Sequence, residues 1–158
     1  MDLEVKLLVE RAENELLAAR TLKMISENAA LKNSIELRPE STFYSAVISH
    51  AYYTIFYCAK AYLLSKKIPL PEQGQHQAVY FGFKKLVREG QITEDLLKLY
   101  DEVKVKAETL LEIFETEEEN RTKFTYKTSA QANKEPAESS IKNSQLFFSY
   151  IRDLIGIK

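Results

Sequence analysis

The spacing of hydrophobic and polar positions changes character along the chain, and the changes mark its elements. From Asp2 to about Leu31, Val5, Val9, Ala12, Leu16, Ala19, Leu22, Ile25 and Ala29 recur every three or four residues. That period lines them along one side of a helix, with Glu10, Arg11, Glu13, Lys23 and Glu27 largely on the wet side. Between Lys32 and Glu40 the period is lost at Asn33, Ser34 and Pro39, and proline disfavours helical geometry at Arg38 before it. Ser41 is placed to cap the helix that follows.

The stretch from Phe43 to Leu64, FYSAVISHAYYTIFYCAKAYLL, is apolar or aromatic on every face and contains no Gly or Pro. A helix of that kind is enclosed by other protein. Its length would suit a membrane span, but Ser45, Ser49, His50, Thr54 and Lys60 interrupt it, and its five tyrosines do not gather into two interface belts. It therefore reads as the buried central helix of a water-facing domain.

Two prolines and a glycine in SKKIPLPEQG end that helix. A shorter one follows with Val79, Phe83, Leu86 and Val87 inward and Gly90 as its stop. Thr93, Glu94 and Asp95 open a fourth, whose Leu96, Tyr100, Val103, Ala107, Leu110 and Phe114 form an inner seam. The apolar period then lapses from Thr116 to Glu135, a loop or frayed helix extension long enough to hint at function. Pro136 opens a last helix with Ile141, Phe148, Ile151 and Ile155 inward and Phe147 and Leu154 flanking. The chain thus predicts an all-α fold, a five-helix up-and-down antiparallel bundle over 2–31, 42–66, 75–89, 94–115 and 136–155, in one domain spanning 1–158.

Composition narrows the function. At 158 residues and 45% hydrophobic the chain can build a sizeable core, and a net charge of -1 gives no global basic field to collect nucleic acid. Any RNA contact has to be local. From Phe43 to Ile92, Lys60, Lys66, Lys67, Lys84, Lys85 and Arg88 outnumber Glu72 and Glu89, whereas Asp101 to Glu119 is acidic. Such asymmetry fits a phosphate or partner surface, and equally a set of solvated helix faces. The single cysteine, Cys58, reads as a small core residue in a reducing compartment. The opening MDLEVK lacks the basic region and apolar run of a signal peptide, so a cytoplasmic protein is expected.

Motifs for chemistry are few. There is no glycine-rich phosphate loop, no paired cysteines, no zinc helix and no nucleophile elbow, so neither a metal nor a cofactor is expected. Of the two histidines, His50 reads as satisfying a buried hydrogen bond in the central helix and His76 as sitting at a helix start.

Three segments nevertheless stand in a telling order: SAVISHAYYTIFYCAKAYLLSKK, then QGQHQAVYFGFKKLVREGQI, then ENRTKFTY with an Arg and, five residues on, a Tyr. Together they resemble the HEPN family, through the AYYxxF core at Ala51 to Phe56, His76, and the Lys-Leu-Val-x-x-Gly run at Lys85 to Gly90. The resemblance runs from about Phe43 to Leu154. It implies a helical bundle that forms homodimers, often partners a minimal nucleotidyltransferase in toxin–antitoxin or RNA-related modules, and in many members cleaves RNA without metal. The signature implied for cleavage is an Arg with a His four to six residues later, the Arg holding a phosphate oxygen and the His taking the 2′-hydroxyl proton. In this chain Arg121 matches the Arg, whereas Tyr126 stands where the His would be, as in a branch of the family with Arg followed by Tyr. A phenol of pKa about 10 is a poor base at neutral pH, although Tyr126 can bind phosphate or stack on a base. Asn120, Lys123, His76 and His50 complete the binding residues expected on this reading. Arg121 can also be read as a surface ion pair with Glu117 or Glu118, worth about a few tenths of a kcal/mol.

Three functions follow. The first is a non-enzymatic or weakly enzymatic dimer partnering a nucleotidyltransferase, with a phosphate site at the dimer cleft. Its dimer rests on the central helix, whose apolar girth exceeds what four neighbours can cover. The second is a metal-independent RNA endonuclease in which Tyr126 or His76 replaces the usual base. The third is a helical adaptor without nucleotide chemistry.

Overall fold

The computed structural model describes residues 2–119 and 133–157. Among these are six helices: α1 Leu3–Glu27, α2 Ala29–Ser34, α3 Tyr44–Ser65, α4 Gln75–Arg88, α5 Glu94–Glu119 and α6 Lys134–Ile155. They form an all-α bundle in which α3 packs against α1, α4, α5 and α6.

The sixth helix arises because the expected first helix breaks at Asn28. That residue adopts extended backbone, and its side-chain oxygen accepts a hydrogen bond from the Leu31 amide at 2.9 Å, capping α2. Ala29, expected inward, is consequently exposed. α1 instead ends its inner stripe on Ser26, whose hydroxyl donates to the Leu22 carbonyl at 2.7 Å and accepts from the Phe43 amide at 2.8 Å. This bond fixes the start of α3 on α1, where Ser41 was expected to cap; α3 begins at Tyr44 with no side-chain cap.

The remaining boundaries follow from local chemistry. α4 ends in a left-handed Gly90 at φ 71°, and the amides of Gly90 and Gln91 return to the carbonyls of Val87 and Leu86. α5 runs to Glu119 and α6 begins at Lys134, so each enters the segment expected as loop.

The core is aromatic at its centre. Phe83 of α4, Tyr100 of α5 and Phe147 of α6 are fully buried, with ring centroids 5.3 Å to 5.9 Å apart. Phe147, expected at the flank, belongs to the core, whereas Leu154 is exposed. Ring contacts with Phe83 of α4 and Tyr100 of α5 hold Phe147 inward. Cys58 is buried and burial pushes its thiol well above the ordinary range, which suits a core residue. No helix among the described residues is long and apolar enough to cross a membrane.

Candidate functional site

The two faces of α3 carry different polar arrangements, one toward α1 and one toward α4 and α5. On the α1 side, His50 Nδ1 lies 2.6 Å from Glu15 Oε2, while Arg11 Nε donates to Glu15 Oε1 at 3.0 Å. Glu15 is buried, so two partners hold its carboxylate where an isolated charge would be costly. Here His50 does what a core histidine is expected to do, and its partner lies 35 residues away.

The other side opens into a cleft of about 450 Å³, lined by Ser49, Tyr52 and Tyr53 of α3, His76 of α4, and Lys104 and Glu108 of α5. His76 is the second residue of α4, which follows a left-handed Gly74 at φ 67°. Its ring stacks on Phe56 at 4.1 Å and 17°, and Nδ1 lies 2.9 Å from the Tyr52 hydroxyl. Tyr53, 38% exposed, meets His76 edge-on at 5.8 Å and stacks beside Tyr57 at 6.1 Å and 28°. The Arg11 guanidinium lies 5.4 Å over the Tyr57 ring. The result is an aromatic strip running from His76 across Tyr53 to Tyr57, with Arg11 over its far end and Lys104 on the wall of the same cleft.

Lys104 supplies the second cation. It sits 4.7 Å over Tyr80 and donates to Glu108 at 2.7 Å, while the Tyr80 hydroxyl donates to Asp101 at 2.7 Å. Asp101 as acceptor, then burial, pushes Tyr80 up to about 12; burial chiefly does the same to Tyr52, so both phenols stay protonated at neutral pH. Partial desolvation against the aromatic rings lowers the pKa of the otherwise exposed His76, which favours the neutral imidazole at pH 7.

A protonation effect on folding follows. Because the folded-state pKa is depressed, the unfolded chain takes up the His76 proton first, so this contribution is complete above about pH 6.5 and is lost as pH falls below that value. Thermal melts between pH 7.5 and 5.5 should show the wild type losing more stability than His76→Phe; equal slopes would contradict the assignment.

A family model of the HEPN domain matches residues 27–154. The chain belongs to the HEPN domain family. Comparisons with curated proteins and with solved structures find no match. HEPN membership makes this a nucleotide- or RNA-related helical domain. Within the HEPN domain, the cleft joins His76 to Tyr52 and Tyr53, two residues that sequence reading placed in the central helix without a role. The available signal was the Tyr53 and Tyr57 pair at a spacing of four, which puts two phenol rings on one helical face. His50 pairs with Glu15 of α1 whereas His76 meets Tyr52, Tyr53 and Phe56, and Arg11, which holds Glu15 and lies over Tyr57, stands between the two arrangements. The remaining residues expected for the HEPN site, Asn120, Arg121, Lys123 and Tyr126, lie outside the described residues. No group of three His, Cys, Asp or Glu side chains among the described residues is arranged to hold a metal ion.

Proposed function

We propose that this HEPN protein binds nucleotide or RNA through the cleft at His76 and acts as a homodimer beside a minimal nucleotidyltransferase in a toxin–antitoxin or nucleotide-related module. The observation that carries the reading is the strip His76, Tyr53 and Tyr57 flanked by Lys104 and Arg11. Flat aromatic faces accept any base by stacking, and adjacent cations meet the phosphates that connect bases. Arg121 is the phosphate ligand in this reading, with Tyr126, Asn120 and Lys123 beside it in sequence.

Support for the dimer comes from a different surface than the sequence suggested. On α3, Tyr53 is the exposed large apolar side chain; Ser49 and Ser65 are exposed beside it in the helix, and Tyr52 and Tyr57 are half-buried. Exposed apolar side chains stand instead on α6, where Leu146, Tyr150 and Leu154 repeat every four residues, and on α1 at Leu3, Leu7, Leu17 and Met24.

His76 favours a second reading, metal-independent RNA cleavage. A neutral imidazole whose Nδ1 is engaged by Tyr52 leaves Nε2 for a 2′-hydroxyl when Nδ1 is the protonated nitrogen. Chelator-treated protein incubated with a labelled structured RNA separates the readings. Cleavage that Arg121→Ala abolishes at an unchanged melting temperature establishes a nuclease; cleavage that survives Arg121→Ala removes the second reading. An inert wild type beside an active Tyr126→His variant assigns the chain to a site complete except for its histidine, as the partner role requires.

A further inference from the structure

A second cavity, of about 510 Å³, lies where α1, α2, the start of α3 and the start of α6 converge, and it shares no lining residue with the His76 cleft. Lys32 reaches into it from α2. Only 7% exposed, Lys32 uses its ammonium to donate to the Pro39 carbonyl at 2.8 Å, which leaves two of its three N–H donors without a partner among the described residues. A cation so far removed from water ordinarily meets an anion. The two carboxylates on the cavity wall are engaged elsewhere, Glu27 by Lys23 at 2.8 Å and Glu40 by Arg38 at 3.6 Å. Thr42 lines the same cavity, and its hydroxyl, sealed from solvent, has no hydrogen-bond partner among the described residues. A buried hydroxyl in that state costs free energy unless something occupies it.

Two helix starts add partial positive charge to a wall that carries two lysines and two glutamates. Thr42 and Tyr44 place the first turn of α3 at the cavity, and Lys134 places that of α6 there. Neither helix has a side-chain cap, so their first amides retain the partial positive charge that favours an anion. Lys32, Thr42 and Lys134 come from three separate parts of the chain. Donors spread in this way suit a group with several diverging oxygens and more than one negative charge, which a carboxylate lacks.

We infer that this cavity is an anion site for a phosphoryl group, inorganic phosphate or a phosphate monoester, with Lys32 Nζ donating to its oxygens, Thr42 Oγ1 joining it on rotation of its side chain, and Lys134 adding charge. The inference stands apart from the role given to the His76 cleft.

The test is calorimetric titration of the full chain with sodium phosphate at constant ionic strength. Saturable binding is expected, weakened about tenfold or more in Lys32→Met, the worth of one charge-assisted hydrogen bond. Methionine fills the space of the lysine stem without a charge, so circular dichroism and the melting temperature should be retained. Thr42→Val supplies an independent check and should weaken binding severalfold. Repeating the titration with uridine 5′-monophosphate in a Tyr53→Ala background, which disables the His76 cleft, identifies the source: tighter binding than phosphate assigns an ester, equal or weaker binding the free anion. Absence of saturable binding at millimolar phosphate, or unchanged affinity in both Lys32→Met and Thr42→Val, overturns the inference.

Discussion

Phe147→Ala is expected to destabilise the protein by about 3–5 kcal/mol, the usual cost of truncating a fully buried phenylalanine. Phe147 is 0% exposed and touches Phe83 and Tyr100, so one side chain of α6 joins α4 and α5. Its loss removes apolar contact on both helices and leaves a void beside the buried Tyr100 ring, whose hydroxyl has no hydrogen-bond partner among the described residues. For a chain of this size the melting temperature should fall by roughly 6–20 °C. Val105 of α5 is 58% exposed, and Val105→Ala should change stability by no more than about 0.5 kcal/mol. Urea unfolding of the two variants measures the contrast. A Phe147→Ala protein as stable as Val105→Ala would mean that α6 does not pack as described.

The second large effect concerns binding and leaves folding almost untouched. Tyr53→Ala should weaken single-stranded RNA binding by about 1–3 kcal/mol, roughly fivefold to more than a hundredfold, because it removes the central ring of the strip. Tyr53 is the one aromatic of the strip's α3 portion that is exposed, so its truncation leaves no enclosed cavity. Phe56, which is buried under His76, offers no such separation, since Phe56→Ala would disturb the core and the cleft together. Thermal melts of Tyr53→Ala should therefore overlay the wild type within a few degrees.

Much of the bundle was legible because burial imposes a period. α3 announced itself by being apolar all round, and α4 and α5 by inner residues that are buried where expected, Val79, Phe83, Leu86, Leu96, Tyr100 and Val103. The break at Asn28 was not legible, because its neighbours continue the helical period while the decision is made by one side-chain hydrogen bond to Leu31. Lys32 was hidden for the opposite reason. A lysine in a polar stretch reads as solvated, and only the tertiary approach of Pro39 and Thr42 buries it. The same limit applies to the site. His76 was placed at a helix start from the loop before it, but its bond to Tyr52 spans 24 residues and the Glu15 bond to His50 spans 35, and no local pattern encodes either pairing.

The most direct measurement is fluorescence anisotropy of a labelled single-stranded oligonucleotide and of its blunt duplex, titrated with wild-type protein and with Tyr53→Ala at one fixed salt concentration. The HEPN cleft described here requires that the wild type prefer the single strand, whose bases are free to stack, and that Tyr53→Ala lose most of that preference. Equal affinity of the two proteins for both RNAs would contradict binding at the His76 cleft and leave the helical adaptor as the role of this chain.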